Sequence, residues 1–348
     1  MGDVTDEGHE DMELAVIGAG SIGRRHVKGL AGLRDELALG VIRVFDPDAE
    51  RCREAAGLAP GCVACDSLAA AVEPAEAVFV CAPTSLHTQV AREVLALGPR
   101  HLFMEKPLAS VAAGWPELLE RHARSGKVFA VGYMLRKHPV LRRLRALLGD
   151  GAIGRVLHAR AESGYYLPYW HPHEDYRDFY MSSRTAGGGA LLDTSHEIDY
   201  LTWLLGPIAE VSGTVETVSD LEITSDDLVL GTFRFASGVR GQVHLDLLQF
   251  DESRYCKMIG TEGVVRADLI TNEVRLWREG ATDWTTERFD VAFDDIYATE
   301  YREFMGACRG AGDQVVTGHS ALHVLEVVEA MRRAQELGTV VRLPLWSL

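Results

Sequence analysis

Three ionisable residues, Asp193, His196 and Asp199, follow one another at intervals of three in the second half of the chain. Residues three apart lie on roughly one face of a helix, and the segment around them has a helical pattern. Histidine titrates near neutral pH, so His196 is the residue type best suited to accept a proton there. Three glycines at 187–189 precede this cluster and allow the backbone there to come close to a ligand. The cluster predicts an acid–base site, with helix capping as the alternative role of Asp193.

A glycine-rich turn, GAGSIG at 18–23, follows the first apolar run and opens a helical pattern. Gly18 permits a tight turn, Gly20 lets a diphosphate approach the backbone, and Gly23 lets the helix pack closely on the strand. The helix N-terminus at Ser21 and Ile22 supplies free N–H donors and a positive potential. This context predicts a dinucleotide-binding turn; a glycine turn without a ligand is the alternative.

Asp46 ends the second apolar run, 23 residues after Gly23. A carboxylate at this point accepts hydrogen bonds from the adenosine ribose hydroxyls and repels a 2′-phosphate. NAD is therefore the predicted cofactor. The neighbouring Arg43 and Arg51 keep NADP as the alternative.

Two further segments follow predicted strands and reach the same edge of the sheet. APTSLH at 82–87 follows the strand that ends near Cys81, and EKP at 105–107 follows the run at 102–104. Ligands of open α/β sheets bind beyond the carboxyl ends of the strands. Pro107 fixes the turn and so aims Lys106, although an exposed lysine is the equally simple interpretation. We assign the following residues of these segments to the cofactor site: Ala82, Pro83, Thr84, His87, Glu105 and Lys106.

A segment rich in aromatic and imidazole side chains runs from Tyr165 to Arg177. Aromatic faces combined with a few hydrogen-bonding groups suit a polyol. Arg136 and Arg177 are candidates for holding a phosphate or carboxylate, with structural ion pairs as the alternative. Adjacent residues rarely converge on one ion, so no metal site is predicted at 171–175. The residues assigned to substrate binding are Arg136, Tyr166, Trp170, His171, Tyr176, Arg177 and His196.

Short apolar runs and helical stretches alternate in the first third of the chain. This pattern predicts a doubly wound parallel sheet, a Rossmann-type α/β domain. The predicted strands lie at 14–17, 41–45, 78–82, 102–104 and 128–131, and the predicted helices at 21–32, 48–57, 87–97 and 110–125.

Strict alternation of apolar and polar residues characterises the second part and predicts antiparallel strands with one solvated face. These strands lie near 208–218, 228–235, 239–247, 263–277 and 339–343, with helices near 296–309 and 319–337. We therefore predict an acidic tail at 1–11, a Rossmann dinucleotide-binding domain at 12–134, and an α+β domain with an open, mainly antiparallel sheet at 135–348.

The composition is that of a soluble and acidic chain. The 348 residues carry 35 Lys and Arg against 51 Asp and Glu, a net charge of −16, which excludes nucleic acid and anionic membranes as expected partners. No apolar run reaches the roughly 18–20 residues of a membrane span, and the acidic N-terminus is neither a signal nor a transit peptide. Six cysteines are too few for a disulfide scaffold. Cytoplasm is the predicted localisation.

Taken together, the motifs resemble the Gfo/Idh/MocA family of NAD(P)-dependent sugar and cyclitol oxidoreductases. Five segments in family order carry the resemblance: GAGSIGRRH at 18–26, CAPTSLH at 81–87, EKPLA at 105–109, GYMLRKHP at 132–139 and GGGALLDTSHEIDYLTWLLG at 187–206. The resemblance implies that Lys106 hydrogen-bonds the reacting hydroxyl and that Asp193 and His196 serve acid–base chemistry. Two residues separate Asp193 from His196, whereas many members have three. It also implies an open sheet that pairs subunits into a homodimer or homotetramer.

The function implied is an NAD-dependent dehydrogenase or reductase. It would transfer hydride between the nicotinamide and a ring hydroxyl or ketone of a sugar, nucleotide-sugar, aminosugar precursor or cyclitol. An alternative within the same resemblance is a glycosidase or epimerase that uses NAD transiently. A non-enzymatic dinucleotide-sensing protein is the other alternative, and it would not need Lys106 and His196 together.

Overall fold

A six-stranded parallel sheet forms the first part of the molecule. The computed structural model describes residues 11–170, 173–312 and 314–345. Its strand order is β3-β2-β1-β4-β5-β6, so the chain adds strands on one side of β1 up to β3 and then on the other side from β4 onward. The strands are β1 (Met12–Ile17), β2 (Leu39–Phe45), β3 (Cys62–Ala64), β4 (Ala77–Val80), β5 (His101–Met104) and β6 (Phe129–Val131). The helices are α1 (Ser21–Gly32), α2 (Ala49–Ala56), α3 (Leu68–Val72), α4 (His87–Ala96) and α5 (Trp115–Ala123).

Burial explains why these segments form a sheet covered on both faces. Every residue of β4 and β5 is buried, which matches their unbroken apolar sequences. The predicted Rossmann-type sheet is confirmed. The sequence did not predict α3, because its five residues make little more than one turn and give no helical period.

A nine-stranded, mainly antiparallel sheet forms the second part, as predicted. Its order is β14-β13-β12-β11-β7-β10-β9-β8-β15. The strands are β7 (Val156–Gly164), β8 (Ile208–Glu216), β9 (Leu228–Phe235), β10 (Arg240–Asp246), β11 (Ser253–Gly260), β12 (Gly263–Asp268), β13 (Glu273–Arg278), β14 (Thr285–Arg288) and β15 (Val341–Arg342). The helices are α6 (Pro139–Gly149), α7 (Leu167–Trp170), α8 (Ala190–Asp193), α9 (His196–Leu205), α10 (Phe293–Cys308) and α11 (Gly318–Leu337).

One pair of neighbours in this sheet, β7 and β10, is parallel, with Gly164 opposite Asp246 at their carboxyl ends. The loops that follow both strands therefore emerge at the same edge of the sheet. The stretch predicted to be antiparallel β structure at 263–277 contains two strands. Its residues form β12 and β13, because the chain turns between them at Asn272, whose φ is 54°. Among the described residues, no helix is long and apolar enough to cross a bilayer.

Helix α10 packs on the first sheet although it lies near the C-terminus of the chain. Phe304 is fully buried, and its ring centroid lies 5.3 Å from that of Phe79 and 5.4 Å from that of Phe103. Tyr301 and Met305 belong to the same apolar cluster. The division between residues 134 and 135 stays a proposal, since α10 completes the core of the first sheet from the second part.

Replacing Phe304 with alanine is expected to lower the free energy of unfolding by about 3–5 kcal/mol, because it leaves a cavity between α10 and the first sheet. Phe293→Ala, on the exposed start of the same helix, should change it by less than about 0.5 kcal/mol. Denaturant unfolding followed by circular dichroism measures both. Equal effects of the two variants would contradict the packing of α10.

Candidate active site

The carboxyl ends of four parallel strands bring the predicted cofactor segments together. Ile17 pairs with Phe45 on one side and Val80 on the other, and Val80 pairs with Met104. The segments that begin at 18, 46, 81 and 105 therefore leave the sheet at one edge, on both sides of the point where the strand order reverses. Open α/β sheets bind their ligands there.

The glycine-rich turn leaves open space where a diphosphate would lie. Gly18 has a φ of +102°, and a Cβ atom there would lie 2.6 Å from the carbonyl oxygen of Cys81. A Cβ atom on Gly23 would overlap the carbonyl oxygen of Gly18, whereas one on Gly20 would have nothing within 4 Å. The N-terminus of α1 has no capping side chain and no acidic residue in its first turn. These features fit a dinucleotide diphosphate at Ser21 and Ile22.

The surroundings of Asp46 fit NAD better than NADP. Its carboxylate accepts hydrogen bonds from the Ala19 N–H at 2.7 Å and from the Asp48 N–H at 2.9 Å, so it stays beside the glycine turn. Arg43 forms an ion pair with Glu13, and the Arg51 guanidinium lies 3.5 Å from Asp48. Both cations that would have favoured a 2′-phosphate thus face carboxylates.

Two residues predicted to contact the cofactor, Glu105 and His87, make hydrogen bonds within the protein, and their contact with the cofactor stays a prediction. The buried Glu105 carboxylate lies 2.7 Å from Nε2 of His26 and accepts the Lys106 N–H at 3.1 Å. The ring nitrogens of His87, also buried, lie 2.9 Å from the carbonyl oxygens of Pro107 and Ala82. Both side chains therefore fix the loops that carry Lys106. Ala82, Pro83 and Thr84 stay predictions as cofactor contacts.

A hydrogen-bonded ion pair between Lys106 and Asp193 forms the centre of the site. The Lys106 ammonium donates to the Asp193 carbonyl oxygen at 2.8 Å and to Oδ1 at 3.2 Å. The Tyr165 hydroxyl donates to Oδ2 at 2.9 Å, and the Tyr180 hydroxyl donates to Oδ1. Burial opposes ionisation of Asp193, but the Lys106 charge and these hydrogen bonds together lower its pKa below the usual value. The carboxylate is therefore ionised and keeps the ammonium in place.

His196 lies beside this ion pair as a neutral imidazole. Its side chain is buried, its Nδ1 has no hydrogen-bond partner among the described residues, and its ring stands edge-on to Tyr133 at 5.4 Å. Burial, then the charges of Lys106 and Arg254, lower its pKa well below 6.5. His196 can therefore accept a proton at neutral pH.

The predicted common helical face of Asp193, His196 and Asp199 is wrong. The helix is interrupted at Thr194 and Ser195, so that Asp193 ends α8 and His196 begins α9. Asp193 is not the helix cap either, since the N-cap of α9 is Ser195. The break turns Asp193 toward Lys106, while Asp199 turns away and binds Arg136.

Arg136 and Arg177, predicted as anion ligands, both form ion pairs within the protein. Arg136 makes two hydrogen bonds to Asp199, at 2.8 and 2.6 Å. Arg177 binds Asp175 and, at 2.7 Å, Glu222. The ion pairs that were the alternative are thus present, and substrate contact by Arg136 and Arg177 stays a prediction.

The predicted aromatic contacts occupy the rim of the site. Trp170 packs on Tyr165 with 4.7 Å between ring centroids, and Tyr166 packs on Phe250 at 4.4 Å. The Tyr176 hydroxyl accepts a hydrogen bond from the Glu222 N–H at 3.2 Å. His171 lies outside the described residues. Substrate contact by these residues stays a prediction.

Comparison with known proteins identifies the family. A family model described as an oxidoreductase family with an NAD-binding Rossmann fold matches residues 12–133, and the GFO/IDH/MocA C-terminal domain model matches residues 141–266. The chain belongs to the Gfo/Idh/MocA family. Among its relatives, inositol 2-dehydrogenase from Streptomyces avermitilis is 29% identical over 339 residues, covering 93% of this chain and 92% of the relative. The 1,5-anhydro-D-fructose reductase of Ensifer adhaerens is 28% identical over 76% of this chain and 78% of its own.

Solved structures show the same fold. GenD2 from gentamicin A biosynthesis, in complex with NAD, superposes with a TM-score of 0.81 at 25% identity and covers 97% of each chain. Levoglucosan dehydrogenase, in complex with NADH and levoglucosan, has a TM-score of 0.84 at 19% identity, with 96% of this chain and 99% of that one covered.

Sequence reasoning missed several residues of this Gfo/Idh/MocA site. Tyr180 and Tyr165 hold Asp193, and no pattern in the sequence indicated this role for either. Arg254, on β11, makes two hydrogen bonds to the buried Glu197 at 2.8 and 3.1 Å. Arg254 and Glu197 are 57 residues apart, and no local pattern signals such a pair.

Lys106→Met is expected to raise the pKa of His196, because it removes a positive charge that lowers this pKa. Since burial is the larger cause, the pKa should stay below 6.5. Titration of the imidazole by NMR measures the change, and exposed Lys28→Met is the control. In the unaltered protein the imidazole is neutral at pH 7, so protonation should reduce kcat/KM only below pH 6.5. An unchanged or lowered pKa in Lys106→Met would contradict this electrostatic account.

Proposed function

We propose that this protein is an NAD-dependent dehydrogenase or reductase of a ring hydroxyl or ketone in an uncharged sugar or cyclitol. The observation that carries the proposal is the position of the Lys106–Asp193 ion pair and the neutral His196. They lie at the sheet edge that bears the dinucleotide turn. NADP is the alternative cofactor.

The protein's own residues supply the proton chemistry of this reaction. Lys106, held by two oxygens of Asp193, would donate a hydrogen bond to the reacting oxygen and stabilise its negative charge as the hydroxyl proton leaves. His196 would accept that proton. When bound, NAD supplies the hydride acceptor at C4 of its nicotinamide. In the direction of reduction, the same imidazole returns the proton to the oxygen.

The charge balance around the site supports an uncharged substrate. Four cations in and around the cluster are each matched by acidic partners: Lys106 by Asp193, Arg254 by Glu197, Arg136 by Asp199, and Arg177 by Asp175 and Glu222. A phosphate or carboxylate on the substrate would have to displace one of these pairs, at a desolvation cost. The names of the inositol and anhydrofructose relatives point to uncharged polyols as well.

We also propose a homodimer or homotetramer formed through the open face of the second sheet, acting in the cytoplasm. That face carries mixed charge and aromatic groups: the guanidinium of Arg266 lies 4.1 Å from the ring centroid of Tyr255, and that of Arg160 lies 5.7 Å away. Such a surface suits association between protein subunits.

Turnover of inositols, free sugars, sugar phosphates and nucleotide-sugars with NAD, followed as NADH formation, tests the proposed function. We expect net NADH with at least one uncharged compound and less with its phosphate. Lys106→Met and His196→Asn should each lower kcat by about 10²–10⁴-fold, because each removes a group that handles the reacting hydroxyl. Lys28→Met is the control, and NAD binding should stay intact in all three. Near-normal kcat in either active-site variant would contradict the assignment.

Asp46→Ser is expected to reduce the preference for NAD over NADP, because it removes the carboxylate that repels a 2′-phosphate. The ratio of kcat/KM for the two cofactors should fall by at least about tenfold, which corresponds to about 1.4 kcal/mol. Glu50→Ser is the control, since it removes an exposed carboxylate from the first turn of α2. An equal ratio in the unaltered protein and Asp46→Ser would show that Asp46 does not select the cofactor.

A further inference from the structure

Four aromatic side chains form a surface at the rim of the active site, which we call the aromatic platform: Tyr166, Tyr169, Trp170 and Phe250. Three of these rings are strongly exposed, Tyr169 at 63%, Trp170 at 47% and Phe250 at 71%. Single exposed apolar residues are ordinary, but several rings packed together in the open mark a binding surface. Reaction at one sugar hydroxyl does not by itself require a surface of this size.

The platform is continuous with the catalytic cluster. Tyr166 lies 4.4 Å from Phe250 and 4.9 Å from Tyr169, measured between ring centroids. Trp170 packs at 4.7 Å on Tyr165, whose hydroxyl binds Asp193. One ring therefore separates the platform from the catalytic carboxylate, so a ligand held at Lys106 can extend onto the platform.

The main chain holds the two parts of the platform together. They follow β7 and β10, the parallel pair, and the Leu167 N–H donates to the Leu247 carbonyl oxygen at 3.1 Å. Gln249 follows β10 and lies against Gly164 at the end of β7, where a Cβ atom would displace its side-chain amide. The rings are thus positioned before a ligand binds, which lowers the entropic cost of binding.

The chemistry of this surface selects a second sugar ring. Sugars present C–H faces that pack on aromatic rings and hydroxyl groups that stay hydrated. Asp251 and Glu252 follow Phe250 and are exposed, so a phosphate or a uronic acid would be repelled there. We propose that the substrate has at least two rings. One reacts at Lys106, and a second, uncharged sugar ring stacks on the aromatic platform. This inference rests on the proposed function and deepens it.

The test compares one-ring and two-ring substrates in platform variants. Tyr169→Ala, Phe250→Ala and the double variant leave the catalytic cluster intact, and Phe293→Ala removes an exposed aromatic ring on α10 as a matched control. The probes are glucose, methyl β-glucoside, cellobiose and maltose, each with NAD. We expect a higher kcat/KM for two-ring probes in the unaltered protein. The double variant should lose about two- to tenfold per ring with those probes only.

Several results would overturn the proposal. These are a best substrate of one ring, equal losses for one-ring and two-ring probes, or a smaller assembly in the double variant by light scattering. The last result would make the platform a contact between subunits. If no probe is turned over, the same disaccharides are titrated calorimetrically into the NAD-loaded protein. Weaker binding to the double variant then supports the proposal, and equal binding or none rejects it.

The two proposals fail separately. If Lys106→Met loses turnover while the double variant keeps its kcat/KM for two-ring probes, only the proposal of a second ring on the platform is rejected. Normal turnover in Lys106→Met would reject the proposed function whatever the platform variants do.

Discussion

A half-buried ion pair between the two parts of the chain determines the geometry of the site. Lys106 comes from the end of β5 in the first sheet, and Asp193 comes from the end of α8 beside the second. Their side chains are 19% and 12% exposed, so each charge loses most of its hydration. Such a pair adds little net stability, and removing one partner leaves the other charge uncompensated. What the pair does is hold the Lys106 ammonium in place between the predicted cofactor and substrate sites.

The groups around the pair are rigid on both sides. On the first sheet, His26 and the Lys106 N–H hold the Glu105 carboxylate, and this fixes the backbone that carries the lysine. On the second, Tyr165 and Tyr180 hold Asp193. Hydrogen bonds from such neighbouring residues keep the Lys106 ammonium and the Asp193 carboxylate at the distance from each other that catalysis needs. The break in the helix at 194–195 matters for the same reason. A continuous helix would place Asp193 and His196 on one face, whereas the break lets Asp193 reach Lys106 independently of the orientation of His196.

Local signals predicted much of the fold and part of the site. The apolar runs identified most strands of the first sheet, and the glycine pattern located the dinucleotide turn, since both depend on neighbouring residues. Residue types and spacing indicated an acid–base cluster at Asp193 and His196, and the resemblance to a family supplied the role of Lys106. Contacts made across the fold could not be predicted: Arg136 meets Asp199 over 63 residues and Arg254 meets Glu197 over 57. Strand β11 was missed because Arg254 takes the place of an apolar residue in its alternation and pairs with the buried Glu197.

In the proposed reaction, Lys106 and His196 both form hydrogen bonds to the substrate oxygen at the reacting carbon. A crystal structure of the protein with NADH and a bound substrate or product measures this directly. We expect one oxygen substituent of the substrate ring at about 2.6–3.2 Å from both the Lys106 ammonium and a ring nitrogen of His196, with the carbon that carries it facing the nicotinamide. A complex in which the carbon facing the nicotinamide carries an oxygen that contacts neither side chain would contradict it.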